Sequence, residues 1–195
     1  MSGIKLKGDT TGEILLDVPA VAGTNTLTLP ATTGNIVTTG DSSTITQGMI
    51  ASNVAGTAPA FHASFIGNQT IPNAVFEKLQ FNKVIFDTNS NFDSTTNYRF
   101  TPNVAGYYLF IAQAQFNLLA ASGQNILALY KNGGSLGYIT NIYQNGAFPC
   151  PNGSKLVEMN GSTDYVEVYA YQQSGLATLI ANYNTHFSGF LVRAA

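Results

Sequence analysis

The sequence predicts an all-β protein whose main part is a β-sandwich. About ten short strand candidates follow one another between residues 60 and 195, and turn residues separate almost all of them. No segment shows a long helical periodicity. Charged residues make up only 9% of the chain and hydrophobic residues 45%, while Gly, Asn, Thr and Ser take the place that charge usually fills.

Residues 1–44 are predicted to form a separate attachment segment with a short extended β structure. Strand candidates at 4–7, 13–18, 26–29 and 35–38 are bounded by turn residues or prolines. Each candidate is too short to build a core alone. We therefore expect this segment to pair with strands of another copy or of another protein.

Residues 45–58 are predicted to be a linker. Apolar residues at spacings of four and one favour a short helix over about residues 44–51. The stretch 53–59 that follows contains small and flexible residues and no large side chain, which is typical of a connection between domains. A head domain is therefore expected at residues 59–195.

Strand candidates in the head alternate with turns. Asn-Gly and Gly-Gly, which type I′ hairpin turns require, occur in the run Asn132-Gly133-Gly134. The strand candidates are residues 61–66, 75–79, 82–86, 98–100, 106–116, 125–131, 135–143, 154–159, 165–171 and 187–192, with a further one at 176–183.

The reactive side chains argue against an enzyme. His62 and His186 are isolated in the sequence, whereas zinc sites need clustered His, Cys or carboxylate ligands. Cys150 lies between two prolines with no base beside it in the sequence. Asp93 and Asp164 fit turn capping better than calcium binding, although a calcium site assembled across loops stays the alternative. We expect no catalytic residue, no metal site and no cofactor.

Charge and hydropathy exclude two further classes of partner. The net charge of −2 provides no basic surface for nucleic acid. No apolar run approaches the roughly 20 residues of a membrane span.

The first seven residues have no long apolar core after their lysines, so no signal peptide is expected. The single cysteine excludes an intrachain disulfide framework.

Two strand candidates, residues 106–111 and 187–192, carry large apolar side chains on both faces. A strand that is apolar on both faces is covered on both sides, and the interior of one sandwich covers only one of them. We therefore predict that these strands lie at a subunit interface. The candidate interface residues are Tyr107, Tyr108, Phe110, Phe187 and Phe190.

Three short motifs stand in order along the head. Residues 106–110 read G-x-Y-x-F, residues 131–133 read K-N-G and residues 187–191 read F-S-G-F-L. Together with F-x-x-V-x-F at 81–86, they resemble the C1q globular-head domain, a jelly roll related to the tumour necrosis factor (TNF) family. The resemblance implies a C1q/TNF-like jelly roll over about residues 60–192 and a homotrimer around the sheet that holds the first and last motifs.

The chain also departs from the family pattern. The usual G-D before the penultimate long strand becomes Gly161-Ser162-Thr163-Asp164, which argues against a family-style calcium site. The G-x-y collagen repeat of many relatives does not occur in this sequence.

The N-terminal part resembles another group of proteins. Residues 18–34, V-P-A-V-A-G-T-N-T-L-T-L-P-A-T-T-G, are similar to a stretch common in tailed-phage fibre and virion proteins, and residues 45–51 resemble the I-x-x-x-x-I-A segments of phage fibres. The combination implies a bacteriophage virion structural protein. It would be a trimeric fibre that is attached to other virion proteins through residues 1–44. The head would then adhere to the host surface, as in a tail fibre or receptor-binding protein.

Two other functions compete with host adhesion. A capsid decoration or head fibre protein is the alternative, because the chain is short and has no long shaft. A polysaccharide hydrolase is disfavoured, because glycosidases generally use a positioned pair of carboxylates and no pair is evident here.

Rings and amides on predicted loops are candidates for contact with a host carbohydrate or protein. Packing within strands or at an interface is the alternative role for these residues. They are Tyr143, Gln144, Asn145 and Phe148, with Tyr138 nearby.

Overall fold

Every secondary-structure element that the structure describes is a β-strand, which confirms the predicted fold class. The computed structural model describes residues 4–7, 11–16, 58–117, 122–145, 148–175 and 178–195. The chain divides into two compact units, residues 1–44 and residues 45–195. The strands expected at 26–29 and 35–38 and the helix expected at 44–51 lie outside the described residues.

In the first unit, the strands β1 (Ile4–Lys7) and β2 (Glu13–Leu16) form an antiparallel pair. Ile4 lies opposite Leu16, and Lys7 lies opposite Glu13. Both strands were predicted from the sequence.

The second unit contains twelve described strands. They are β3 (Ala60–Ser64), β4 (Gln69–Ile71), β5 (Glu77–Lys78), β6 (Lys83–Asp87), β7 (Phe92–Asp93), β8 (Arg99–Phe100), β9 (Ala105–Asn117), β10 (Ser122–Lys131), β11 (Gly134–Asn145), β12 (Asn152–Asn160), β13 (Val166–Gln172) and β14 (Thr178–Ala194).

These strands form two six-stranded sheets. In the β9 sheet the order is β12-β9-β14-β3-β6, and β4 also pairs with β14. In the β10 sheet the order is β11-β10-β13-β8-β7, and β5 also pairs with β13. All pairs of named strands are antiparallel. The strand order differs from the sequence order in both sheets, as in a jelly roll.

The core is dominated by aromatic side chains. Phe61 on β3 stacks on Phe100 of β8 with ring centroids 4.3 Å apart and meets the edge of Phe187 on β14 at 5.0 Å. Phe110 on β9 lies 5.7 Å from Phe187. Successive side chains of a strand point to opposite faces, so one face of each sheet supplies this core and the other face points outward.

The K-N-G motif is a two-residue hairpin turn between β10 and β11. Asn132 (φ 53°) and Gly133 (φ 78°) both have positive φ, which confirms the predicted type I′ turn. The side-chain Oδ1 of Asn132 also accepts a hydrogen bond from the backbone amide of Tyr165 (2.9 Å), and the backbone amide of Asn132 donates to the Tyr165 carbonyl (3.1 Å). The asparagine therefore fixes both the hairpin and the loop that precedes β13.

The strands differ from the sequence prediction in three main ways. Residues 178–183 of the candidate at 176–183 and the whole candidate at 187–192 belong to one strand, β14, whose register shifts between Ala181 and His186. The candidate at 75–79 is only the two residues of β5, because Ala74 before it has a positive φ of 58° that interrupts extended backbone. The short strands β4 and β7 were not predicted, since two or three paired residues give no detectable alternation.

Candidate binding surfaces

The outward face of the β9 sheet carries a row of apolar side chains that crosses four strands. On β9, Leu109 lies opposite Leu156 of β12 and Phe190 of β14, and Phe190 lies opposite Ala60 of β3. Leu156 and Phe190 leave 58% and 43% of their surface in solvent. Ile111 follows on β9 in the next row, also exposed. The protomer therefore leaves an extended apolar surface uncovered, which is typical of an interaction site.

The same face becomes polar along the strands. His62 lies opposite Ser188, and its Nδ1 is hydrogen-bonded to the Ser188 Oγ at 2.7 Å. The His62 ring stacks on His186 with centroids 5.3 Å apart and on Phe86 at 6.1 Å. Burial lowers the pKa of the His62 imidazole, and burial together with the neighbouring His62 lowers the pKa of His186. Both imidazoles therefore favour the neutral form.

The structure separates the five predicted interface residues into two groups. Tyr107 and Phe190 point outward and are about 40% exposed. Tyr108, Phe110 and Phe187 are fully buried inside the protomer, so their assignment to a subunit interface is corrected: they have no surface for a second chain. They belong to the core because of the alternation along each strand. On β9 the side chains of even-numbered residues point inward, and on β14 near Phe187 those of odd-numbered residues do.

Tyr108 shows how a polar group is accommodated in this core. Its hydroxyl donates a hydrogen bond to the Val104 carbonyl at 2.8 Å. Burial raises the pKa of Tyr108 to about 12. The residue therefore serves the packing of the sandwich as a neutral, hydrogen-bonded phenol.

The outward face of the β10 sheet carries aromatic rings. Phe76, which precedes β5, lies between Tyr138 of β11 (centroids 6.0 Å apart) and Tyr171 of β13 (5.0 Å). On β10 and β13, the rings of Tyr130 and Tyr169 are in contact at 4.0 Å. Of these five rings, only Tyr138 was predicted from the sequence. The alternating Tyr169 and Tyr171 in a predicted strand were the available signal for two others.

The predicted receptor contacts lie at the end of β11 and after it. Tyr143 lies in β11, as the strand candidate 135–143 predicted, and residues 144 and 145, which were expected in a loop, also belong to β11 and pair with β10. Tyr143 is 78% exposed, and Phe148, in the connection to β12, is 59% exposed. The side chains of Gln144 and Asn145 lie outside the described part of the structure.

The loop carboxylates hold turns together. Asp164 makes an ion pair with Lys131 (Oδ2 to Nζ, 2.8 Å) and accepts hydrogen bonds from Asn132 Nδ2 (2.7 Å) and the Asn160 amide (3.0 Å). The Lys131 and Asn132 contacts lower the pKa of the Asp164 carboxyl. Asp93 accepts amide hydrogen bonds from the turn after β7, first from Thr96, which hold its pKa well below the usual range.

His62 and His186, which are far apart in the sequence, are brought together as a stacked pair, but the pair has no third ligand in the part of the chain that the structure describes. The described residues contain no group of three or more His, Cys, Asp or Glu that could hold a metal ion. Cys150 is half-buried, and burial raises the pKa of its thiol, which disfavours the nucleophilic thiolate. Within the described residues, no helix is long and apolar enough to cross a membrane.

Two six-stranded antiparallel sheets in jelly-roll order place the second unit in the class of C1q/TNF-like domains. A family model described as the C1q domain matches residues 60–192. The chain therefore belongs to the C1q domain family. No curated protein sequence matches it significantly.

Solved structures of this class are similar in fold. Murine APRIL at pH 5.0 superimposes with a TM-score of 0.51 and 8% identity, covering 69% of this chain and 99% of that chain. The globular domain of zebrafish complement 1qA protein gives a TM-score of 0.49 and 19% identity, and the match covers 70% of this chain and 99% of that domain. The likeness to APRIL shows the fold alone.

Proposed function

We propose that the chain is a non-enzymatic structural protein of a bacteriophage virion, a homotrimeric fibre whose C1q-like head adheres to the host surface. The observation that carries the homotrimer is the apolar row on the outward face of the β9 sheet. C1q/TNF-like domains typically form homotrimers. In this chain the row would be covered by the neighbouring subunits of the trimer.

The energetics favour this use of the surface. Apolar area removed from water stabilises an assembly by roughly 25 cal/mol per Å², and an obligate interface buries roughly 2,000 Å² or more. Leu156, Leu109 and Phe190 form the middle of the row, and none of them carries a hydrogen-bonding group that needs water. A second copy of the chain can therefore cover the row at no cost in unpaired polar groups.

The virion assignment is supported by the N-terminal segment. Residues 18–34 and 45–51 are similar to segments of phage fibre and virion proteins. The pair β1–β2 is a two-stranded ribbon, and such a ribbon is only marginally stable without further strands. We assign residues 1–44 to attachment on another virion protein and the head to the host side.

The trimer is tested by sedimentation equilibrium of the full chain and of the variants Phe190→Glu and Tyr143→Glu. Each puts one carboxylate on a strand in place of an exposed ring, the first on the β9 sheet and the second on the β10 sheet. We expect a trimer for the wild type and for Tyr143→Glu. The Phe190→Glu variant should dissociate, because an unpaired carboxylate in an interface costs several kcal/mol. A monomeric wild type, or a Phe190→Glu trimer of unchanged stability, would contradict the proposal.

The position on the particle is tested by imaging virions labelled with an antibody against the head. Label at the tail would support host adhesion by a tail fibre. Label at capsid lattice points would replace it by the alternative, a capsid decoration or head fibre protein. Absence of label from purified virions would contradict both.

A further inference from the structure

The outward face of the β10 sheet carries a second surface with a different chemistry from the apolar row. We propose that Phe76, Tyr138 and Tyr171, with the amides of Gln124 and Asn141, form a binding site for an uncharged pyranose unit of a host-surface glycan. These five residues form the aromatic platform. The inference rests on the proposed function, because it names the ligand class that the head would recognise.

The first observation is the arrangement of the rings. Phe76 is stacked on Tyr138 with an interplanar angle of 25° and is tilted against Tyr171 at 37°. The Phe76 ring fixes the orientation of both tyrosines, and yet half of the Tyr138 side chain (51%) stays in solvent. A ring that is held in place and open to water can receive the C–H face of a sugar ring at little cost in side-chain entropy.

The second observation is a pair of amides on the same face. Ile126 of β10 lies opposite Asn141 of β11 on one side and opposite Tyr171 of β13 on the other. Gln124 precedes Ile126 by two residues, so its side chain points to the same face. Its Nε2 donates a hydrogen bond to Asn141 Oδ1 at 3.0 Å. The amides therefore retain free donors and acceptors beside the rings, which suit the hydroxyl groups of a sugar.

The third observation is the backbone conformation that places Phe76. Ala74 has φ 58°, a left-handed conformation that a residue with a Cβ adopts at a cost. Hydrogen bonds hold it there: the Ala74 amide donates to the Gln172 carbonyl (2.8 Å), and Gln172 Nε2 donates to the Ile71 carbonyl (3.1 Å). Backbone strain that neighbouring contacts maintain is often found at binding sites. Here it brings Phe76 between the two tyrosines.

The absence of charge within the platform selects the ligand class. Its five side chains are uncharged, so they offer no counter-charge to an acidic sugar, a phosphate or a basic peptide. Rings with adjacent amides fit a ligand that has an apolar face and a hydroxylated rim. A neutral hexose or N-acetylhexosamine has both.

The test is binding of the full-length protein to an array of neutral and acidic oligosaccharides built from hexoses, N-acetylhexosamines, sialic acid and uronic acids. The best neutral binder then serves as the probe in titration calorimetry. We expect Tyr138→Ala and Phe76→Leu to weaken its binding by about tenfold, which corresponds to about 1.4 kcal/mol and is of the size expected for the loss of a stacking ring. The Tyr138→Phe variant should retain most of the affinity.

Phe86→Ala is the matched control, since it removes an equally exposed ring (50%) from β6 of the other sheet, outside the platform. Its affinity should equal that of the wild type. The inference is overturned if no neutral oligosaccharide binds at millimolar concentration, if only acidic ones bind, or if Tyr138→Ala binds as the wild type does. Sedimentation of the same samples separates the two proposals. A trimer without neutral-glycan binding contradicts this inference alone, and a monomeric wild type contradicts the proposed function.

Discussion

Gly189, the glycine of the F-S-G-F-L motif, has no room for a side chain. It lies on the inward face of β14, and a Cβ there would be 2.7 Å from Cδ1 of Phe110 and 2.9 Å from Cε1 of Phe61. Both rings are held by other rings of the core: Phe61 is stacked on Phe92 (5.1 Å) and Phe100 (4.3 Å), and Phe110 packs against Phe100 (5.8 Å) and Phe187 (5.7 Å). We therefore predict that Gly189→Ala destabilises the head.

Two opposing effects set the change in the free energy of unfolding caused by Gly189→Ala. Adding a methyl group to a close-packed core costs about 1–3 kcal/mol. Replacing glycine by alanine also restricts the unfolded chain, which stabilises the fold by about 0.4–1 kcal/mol. The net loss should be about 1–2 kcal/mol in the free energy of unfolding. For a chain of this length that lowers the Tm by roughly 2–8 °C.

The assay is guanidinium unfolding followed by circular dichroism, at several protein concentrations because assembly adds to stability. Gly134→Ala is the matched control: its Cβ would lie 3.4 Å from the Lys131 carbonyl oxygen, an ordinary contact. That variant should be neutral or slightly stabilised. Equal stability of the two variants would refute the reasoning, since they differ chiefly in the space around the new methyl group.

The remaining predictions concern pH. The hydrogen bonds of Asp93 and Asp164 lower their pKa values below 3.8. The stability that these carboxylates contribute is therefore complete above pH 3.8 and is lost as the pH falls further. In unfolding measured as a function of pH, Asp164→Asn should reduce this loss of stability at acid pH. Burial lowers the pKa values of His62 and His186 below 6.5, so stability should already begin to fall as the pH drops below 6.5, when the unfolded chain takes up protons first. A His186→Gln variant should lack part of this loss, and an unchanged profile would contradict the assignment.

The sequence predicted the strands better than it predicted which way their side chains point. Long strands such as β9 and β14 are evident from their apolar residues and the turns around them. The run 106–111 is apolar at every position after its glycine, so alternation cannot decide whether Tyr107 or Tyr108 is inside. The structure decides it through pairing: Tyr108 lies opposite Leu191, which also points inward.

The aromatic platform was less predictable, for a different physical reason. Tyr171 lies in a strand, and the alternation of that strand predicts the face to which its side chain points. Phe76 lies in a connection, and its position depends on the φ of Ala74 and on hydrogen bonds to Gln172, a residue almost a hundred positions further along the chain. Such long-range contacts leave no periodic signal in the sequence, so only a three-dimensional structure brings the ring to its partners.

The two outward faces suit different partners because they differ in hydrogen-bonding capacity. The row of Leu109, Leu156 and Phe190 has no donor or acceptor in its side chains, so it can be covered by protein and cannot hold a hydroxylated ligand. The aromatic platform has amides and phenols beside its rings, so complete burial against protein would require a partner for each polar group. The core lies between the two faces, and substitutions that far apart without shared contacts act nearly independently. Loss of assembly by Phe190→Glu and loss of glycan binding by Tyr138→Ala should therefore be separable in the same protein.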